Sequence, residues 1–197
     1  MKINLKNKTL RTIAVYLAII FFFSFLSTEA FLSSVALAKV DSLKKVIETA
    51  DHACPEPCRG DSTKVKALNT LAWELRISDL DTAKLLTEQA LAIADKAEYL
   101  KGKASAYNTL RSINWRQSNY DKAIEYANKT LKIYESLGDK QGMASSYNNI
   151  GIIYDEQSDY PLALEYYFKS LKIQEELGNK QGMAISYNNI GNIYANQ

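Results

Sequence analysis

Cys54 and Cys58 are the only cysteines of the 197-residue chain, and His52 is its only histidine. The thiols stand C-x3-C in Ala53–Asp61 (ACPEPCRGD), a stretch that two prolines and a glycine mark as a loop. Two thiols so close in sequence can close a small local disulfide or stay free. Haem attachment needs C-x-x-C-H and a structural zinc needs four ligands; this stretch supplies neither. Ser42-Leu43-Lys44-Lys45 fits the S-x-x-K spacing of a serine nucleophile with its lysine, but the S-D-N and K-T-G partners are missing from the sequence. Asp155 and Glu156 are neighbours, and neighbouring side chains on a helix diverge instead of converging as an acid–base pair. With no Gly-rich phosphate loop either, the chain reads as non-catalytic, without cofactor or metal.

The chemistry left is recognition, and a repeat carries it. Asp139–Tyr154 (DKQGMASSYNNIGIIY) returns as Asn179–Tyr194 (NKQGMAISYNNIGNIY), with 13 of 16 positions identical and each pair 40 apart. A fixed period of this length marks a stack of supersecondary units that bury their apolar faces on one another.

The elements around it follow from charge and periodicity. Lys2, Lys6, Lys8 and Arg11 precede Ile13–Leu26, an uncharged apolar run, and Ala36-Leu37-Ala38 offers a small-x-small cleavage site. That order describes a secretory signal peptide over 1–38; left uncleaved, it would anchor the chain. The run is short against the roughly 20 residues of a spanning helix, which favours cleavage. Export across an inner membrane, to a periplasmic or extracellular face, is the expected localisation. Of the 24 Lys and Arg, four lie in this leader, leaving 20; of the 22 Asp and Glu only Glu29 does, leaving 21. A nucleic-acid binder would carry a basic excess, so that partner class is excluded.

Residues 39–61 read as a capping helix, Val40–Ala53, followed by the cysteine loop. Helical periodicity then recurs over Ser62–Arg76, Thr82–Ala97, Gly102–Arg116, Tyr120–Ser136, Lys140–Glu156, Pro161–Glu176 and Lys180–Ala195. Gly138 and Gly178 stand where left-handed residues end helices, Asp139 and Asn179 where N-caps begin them, and Pro161 in a first turn.

Tyr147, Ile150, Gly151, Tyr154, Ala163 and Tyr167 form the pattern aromatic-x2-aliphatic-Gly-x2-Tyr, then Ala-x3-aromatic. This resembles the tetratricopeptide repeat. A fourth unit opens with Tyr187, Ile190, Gly191 and Tyr194; a second keeps Tyr107, Leu110 and Ala123; a first, degenerate unit has Leu68, Leu71, Ala72, Leu75 and Ala83. The resemblance implies an all-α, right-handed solenoid of antiparallel helix pairs, a TPR-like superhelix, with units 62–101, 102–141, 142–181 and an incomplete 182–197. It also puts the signature tyrosines in the core. The period is 40 where the family has 34, and the closing proline is missing. Arg111 and Asn114 replace the small residue and the tyrosine of the second unit, so the Arg111 stem is expected to snorkel to solvent. The sequence stops after one helix of the fourth unit, which suggests the front portion of a longer protein.

The resemblance further implies a concave groove lined by the first helix of each pair. Its positions carried onto this chain are Asn69, Asn108, Asn148 and Asn188; Asn149 and Asn189; then Trp73, Ser112, Ile152 and Asn192; with Arg76, Trp115, Arg116 and Asp155 towards the helix ends. Asparagine amides can pair with the backbone of an extended peptide, and Trp and Arg often dominate interface energies. The implied function is an exported protein-interaction module. Two alternatives stand beside it: the sensory region of a membrane signalling protein with a kinase, cyclase or transcription-regulator output, and a self-associating scaffold. The partner is a protein or peptide; a membrane is involved only through the leader or a further segment.

Overall fold

The computed structural model describes residues 60–196, together with Asp41, Ser42 and Lys45, which are helical and exposed. The leader, Cys54 and Cys58, and most of the expected capping helix lie outside the described residues. Seven helices follow one another: α1 Gly60–Leu75, α2 Leu80–Lys96, α3 Leu100–Arg116, α4 Tyr120–Leu137, α5 Lys140–Glu156, α6 Tyr160–Glu176 and α7 Lys180–Asn196. Each end lies within two residues of the periodicity-based expectation. Among the described residues none of the helices is long and apolar enough to cross a membrane.

Short turns force each helix back along its predecessor. After α2, α3, α4, α5 and α6 the sixth residue's N–H closes on the first residue's carbonyl, as from Asp139 to Tyr134 and from Asn179 to Gln174, both at 2.9 Å. The turn residue is left-handed each time: Gly138 and Gly178, but also Glu98, Ser118 and Ser158. The Oδ1 atoms of Asp139 and Asn179 cap the next helices by accepting from the Gly142 and Gly182 N–H groups. Asp79 and Asp159 cap α2 and α6 in the same way.

Consecutive helices pack into a helical-repeat solenoid. Alanines (Ala83, Ala90, Ala94, Ala104, Ala123, Ala127, Ala163) let the axes approach, and Leu68, Ile150, Ile153, Tyr167 and Ile193 fill the space between. At Gly151 two helices come close: a Cβ there would stand 2.6 Å from the Tyr167 ring.

Two expectations are corrected. Tyr187 and Tyr194 are 53% and 59% exposed, unlike buried Tyr167, because no described helix covers the outer face of α7. Arg111 does not snorkel; it is 9% exposed. One unit on, Gly151 faces the bulky Tyr167, whereas here the small partner is Ala127, so large and small are exchanged and the space admits the arginine.

Candidate functional site

α5 places Gln141, Ser145 and Asn149 four residues apart, hence on one face, with Asn148 beside them. Across from it α7 presents Gln181, Gly182, Ile185 and Ser186, and α6 closes the floor with Ser170 and Gln174. Together they line a cleft of about 310 Å³. Its rim is braced: Asn179 Nδ2 donates to Gln141 Oε1 (3.1 Å) and Gln174 Oε1 (2.9 Å), and Lys140 pairs with Glu176 at 2.8 Å. Asn189 Nδ2 donates to Asn148 Oδ1 at 2.9 Å, tying α7 to α5. The half-buried Asn149 amide has no hydrogen-bond partner among the described residues. The cleft therefore offers donors and acceptors side by side, as a peptide backbone requires.

A second cleft, of about 370 Å³, lies between α1 and α3 and is lined by residues that include Lys66, Asn69, Trp73, Lys101, Ser105 and Asn108. Here the helices approach closely, since a Cβ on Gly102 would meet Val65 Cγ1 at 2.6 Å. Asn69 is buried in that contact; its Nδ2 donates to the Gly102 carbonyl at 2.9 Å while its Oδ1 has no partner. Ser112 is likewise buried.

At the C-terminal ends of α1 and α3 the side chains are cationic and aromatic. The Arg76 guanidinium lies 3.5 Å over the Trp73 ring and donates to the Trp73 carbonyl. Arg111 Nε donates to Asn108 Oδ1 at 3.0 Å. Burial, reinforced by Arg76, pushes the Arg111 guanidinium down to about 10. Burial also lowers Arg76; Glu74 opposes the shift and Arg116 adds to it. Trp115 is half-buried, its indole N–H without an acceptor, and borders a third cleft of about 300 Å³ with Arg116, Ser118, Tyr120 and Glu156.

The structure thus groups Asn148, Asn149 and Asn189 at one end and Trp73, Arg76, Trp115 and Arg116 at the other. Asn188 and Asn192 are exposed; Ile152 packs against the Tyr167 cluster; Asp155 Oδ2 accepts from the Tyr167 hydroxyl at 3.5 Å. The sequence reading missed Gln141, Ser145 and Gln181 as cleft residues, although their four-residue spacing and the 40-residue period place them beside Asn149. It also missed Arg111, because a glycine in the equivalent position suggested a surface solution.

A solenoid of paired helices with a polar face is the architecture of a helical-repeat interaction protein. The tetratricopeptide repeat family model matches residues 102–176 and 143–197, and the chain is a tetratricopeptide repeat protein. Among solved structures it is similar to BtubC (BKLC) from P. vanneervenii, with a TM-score of 0.69 and 24% identity over 82% of this chain and 66% of that one. It is also similar to a Signal Transduction ATPase with Numerous Domains (STAND) protein with a tetratricopeptide repeat sensor from Pyrococcus horikoshii. That TM-score is 0.67, with 22% identity over 83% of this chain and 26% of that one. The chain thus spans just under two thirds of the first and about a quarter of the second, and both likenesses are of fold. No curated protein matches the chain.

Proposed function

We propose that the α5–α7 cleft holds an extended segment of a protein partner through backbone hydrogen bonds. The observation that carries this is the amide of Asn149, uncommitted in a cleft otherwise lined by Gln141, Ser145, Asn148 and Gln181. A hydrogen bond lost from such a clamp costs about 1 kcal/mol. Peptides selected against the chain from a displayed random library should therefore bind Asn149→Ala about fivefold more weakly. Asn189→Ala should show a similar loss, because it also frees Asn148. Unchanged affinities in both variants would remove the clamp. The leader's charge and apolar run support action after export across the inner membrane.

A second reading, sensory input to a signalling output, draws support from the fold likeness to the tetratricopeptide repeat sensor of the P. horikoshii protein. Reading the coding sequence in frame past Gln197 tests it, through the presence or absence of an apolar run of about 20 residues and an output domain. The scaffold reading draws on the exposed Ile185, Tyr187 and Tyr194 of α7. Sedimentation of residues 39–197 tests it: a monomer at all concentrations excludes self-association.

A further inference from the structure

Asn179 holds two glutamines in one orientation, and donor chemistry fixes which. Its Oδ1 accepts from the Gly182 backbone N–H at 3.1 Å, so its Nδ2 is the group that donates to Gln141 and Gln174. Both glutamines therefore turn Oε1 towards Asn179, at 3.1 and 2.9 Å, and direct Nε2 elsewhere. Neither Nε2 has an acceptor among the described residues, and both side chains line the α5–α7 cleft. Gln174 is only 4% exposed. Among the described residues the fully enclosed side-chain atoms without partners are Asn69 Oδ1 and Trp115 Nε1, so the Gln174 Nε2 opens on the cleft it lines. Gly182 makes room for it, since a Cβ there would strike the Gln174 carboxamide. One period earlier the same places hold Lys101, Tyr134 and Asp139; Asp139 caps Gly142 but has no N–H with which to orient a neighbour. None of the described residues lining the α5–α7 cleft is charged, and Lys140 at its rim is paired with Glu176.

We propose that Gln141 and Gln174, positioned by Asn179, receive one neutral side-chain amide, a Gln or Asn of the partner segment. The two Nε2 groups donate to its carbonyl oxygen, which has two lone pairs. Its NH2 finds an acceptor in the Ser145 hydroxyl, whose own hydrogen is spent on the Gln141 carbonyl at 3.0 Å. A carboxylate has no hydrogen for that hydroxyl, and would leave water with no cation in the cleft to meet it. The subsite rests on the peptide-binding reading above and extends it: backbone bonds at Asn149 hold the segment, and the glutamine pair selects a residue within it.

Side-chain amide resonances of the full chain, assigned by single substitutions, report each group separately. An alternating Gln-Ala peptide of about ten residues should shift the Gln141 and Gln174 amides. Its charged and its amide-free counterparts, Glu-Ala and Met-Ala, should leave them in place and bind at least about fivefold more weakly. Asn179→Ser keeps a cap for the Gly182 N–H but supplies no amide to orient the glutamines, so Gln-Ala should lose its advantage over Met-Ala. Gln141→Ala, at an exposed position, should weaken Gln-Ala about fivefold and leave Met-Ala unchanged. A preference for Gln-Ala that survives both substitutions overturns the subsite, and so does Glu-Ala binding as tightly as Gln-Ala. Equal shifts with acetamide at matched amide concentration mark a small-molecule site and overturn the assignment to a partner side chain. All three peptides should move the Asn149 and Asn189 amides. If those respond and the glutamine pair does not, the subsite falls and the groove stands; silence at all four overturns both.

Discussion

Gly151 and Gly191 share the local sequence Tyr-Asn-Asn-Ile-Gly but meet different surroundings. A Cβ on Gly151 would stand 2.6 Å from Tyr167 Cε1, on a ring that burial holds in place, whereas a Cβ on Gly191 meets nothing within 4 Å. Gly151→Ala should therefore cost about 1–3 kcal/mol. Gly191→Ala should gain about 0.5–1 kcal/mol, because only the helix preference for alanine remains. Urea midpoints of the two variants check the pair. Tyr167 also sets an alkaline limit. Burial raises its phenol above the ordinary value, and Asp155 and Glu156 push the same way. The unfolded chain thus loses this proton first, at about pH 10, and stability falls as pH rises beyond it. Arg111 acts oppositely: its folded value of about 10 lies below the ordinary guanidinium range, so its unfavourable burial fades as pH rises past it. Comparing wild type with Tyr167→Phe isolates the phenol, and the variant should lose less stability between about pH 9 and pH 11. Equal losses would show that the Tyr167 proton is not coupled to folding.

Turns are where the helices and their sequence signals part company. Gly138 and Gly178 announced left-handed positions, since glycine adopts them freely. Glu98 lies one 40-residue period before Gly138 and has the same handedness, at φ 49°, but its residue type gives no such sign. Ser118 and Ser158, at φ 56° and 60°, form a second such series. Only the period could have exposed them, through their equivalent places in each helix pair. Left-handed backbone costs an L-residue about 1–2 kcal/mol, part of which glycine loses again in unfolded-state entropy. Ser158→Gly should accordingly stabilise the chain by about 0.5 kcal/mol, read as a rise in urea midpoint at constant slope. The helices themselves were legible because alanines and aromatics recur at helical spacing and the caps are written in Asp and Asn. The cleft was legible in part. Asn149 followed from the repeat, but Asn69, offered by the same reading as a groove position, is consumed by the Gly102 carbonyl. Its fate depends on how closely α1 approaches α3, which no local pattern encodes.

Across the whole array, contacts run chiefly between successive helices, so stability is close to a sum of nearest-neighbour terms. Hydrogen exchange should reflect this. Amides of α6, which packs on α5 and α7, should exchange more slowly than those of α7, whose Ile185, Tyr187 and Tyr194 are about half or more exposed. Equal protection would mean that the array opens as one unit. The near-duplicate helices have a consequence for how the chain finds its register. α6 carries one mating surface, Ala163 and Tyr167, and two helices display the matching Tyr-Asn-Asn-Ile-Gly motif. During refolding α7 can occupy the berth meant for α5, a slip by one whole repeat that satisfies most of the same contacts. What distinguishes the copies is Asp139 against Asn179, Ser145 against Ile185, and Ile152 against Asn192. Ile152 packs into the Tyr167 cluster, where the amide of Asn192 would be stranded. This one difference acts as an address label, making the rightful helix the better mate and keeping a self-similar chain from being misread by its own fold.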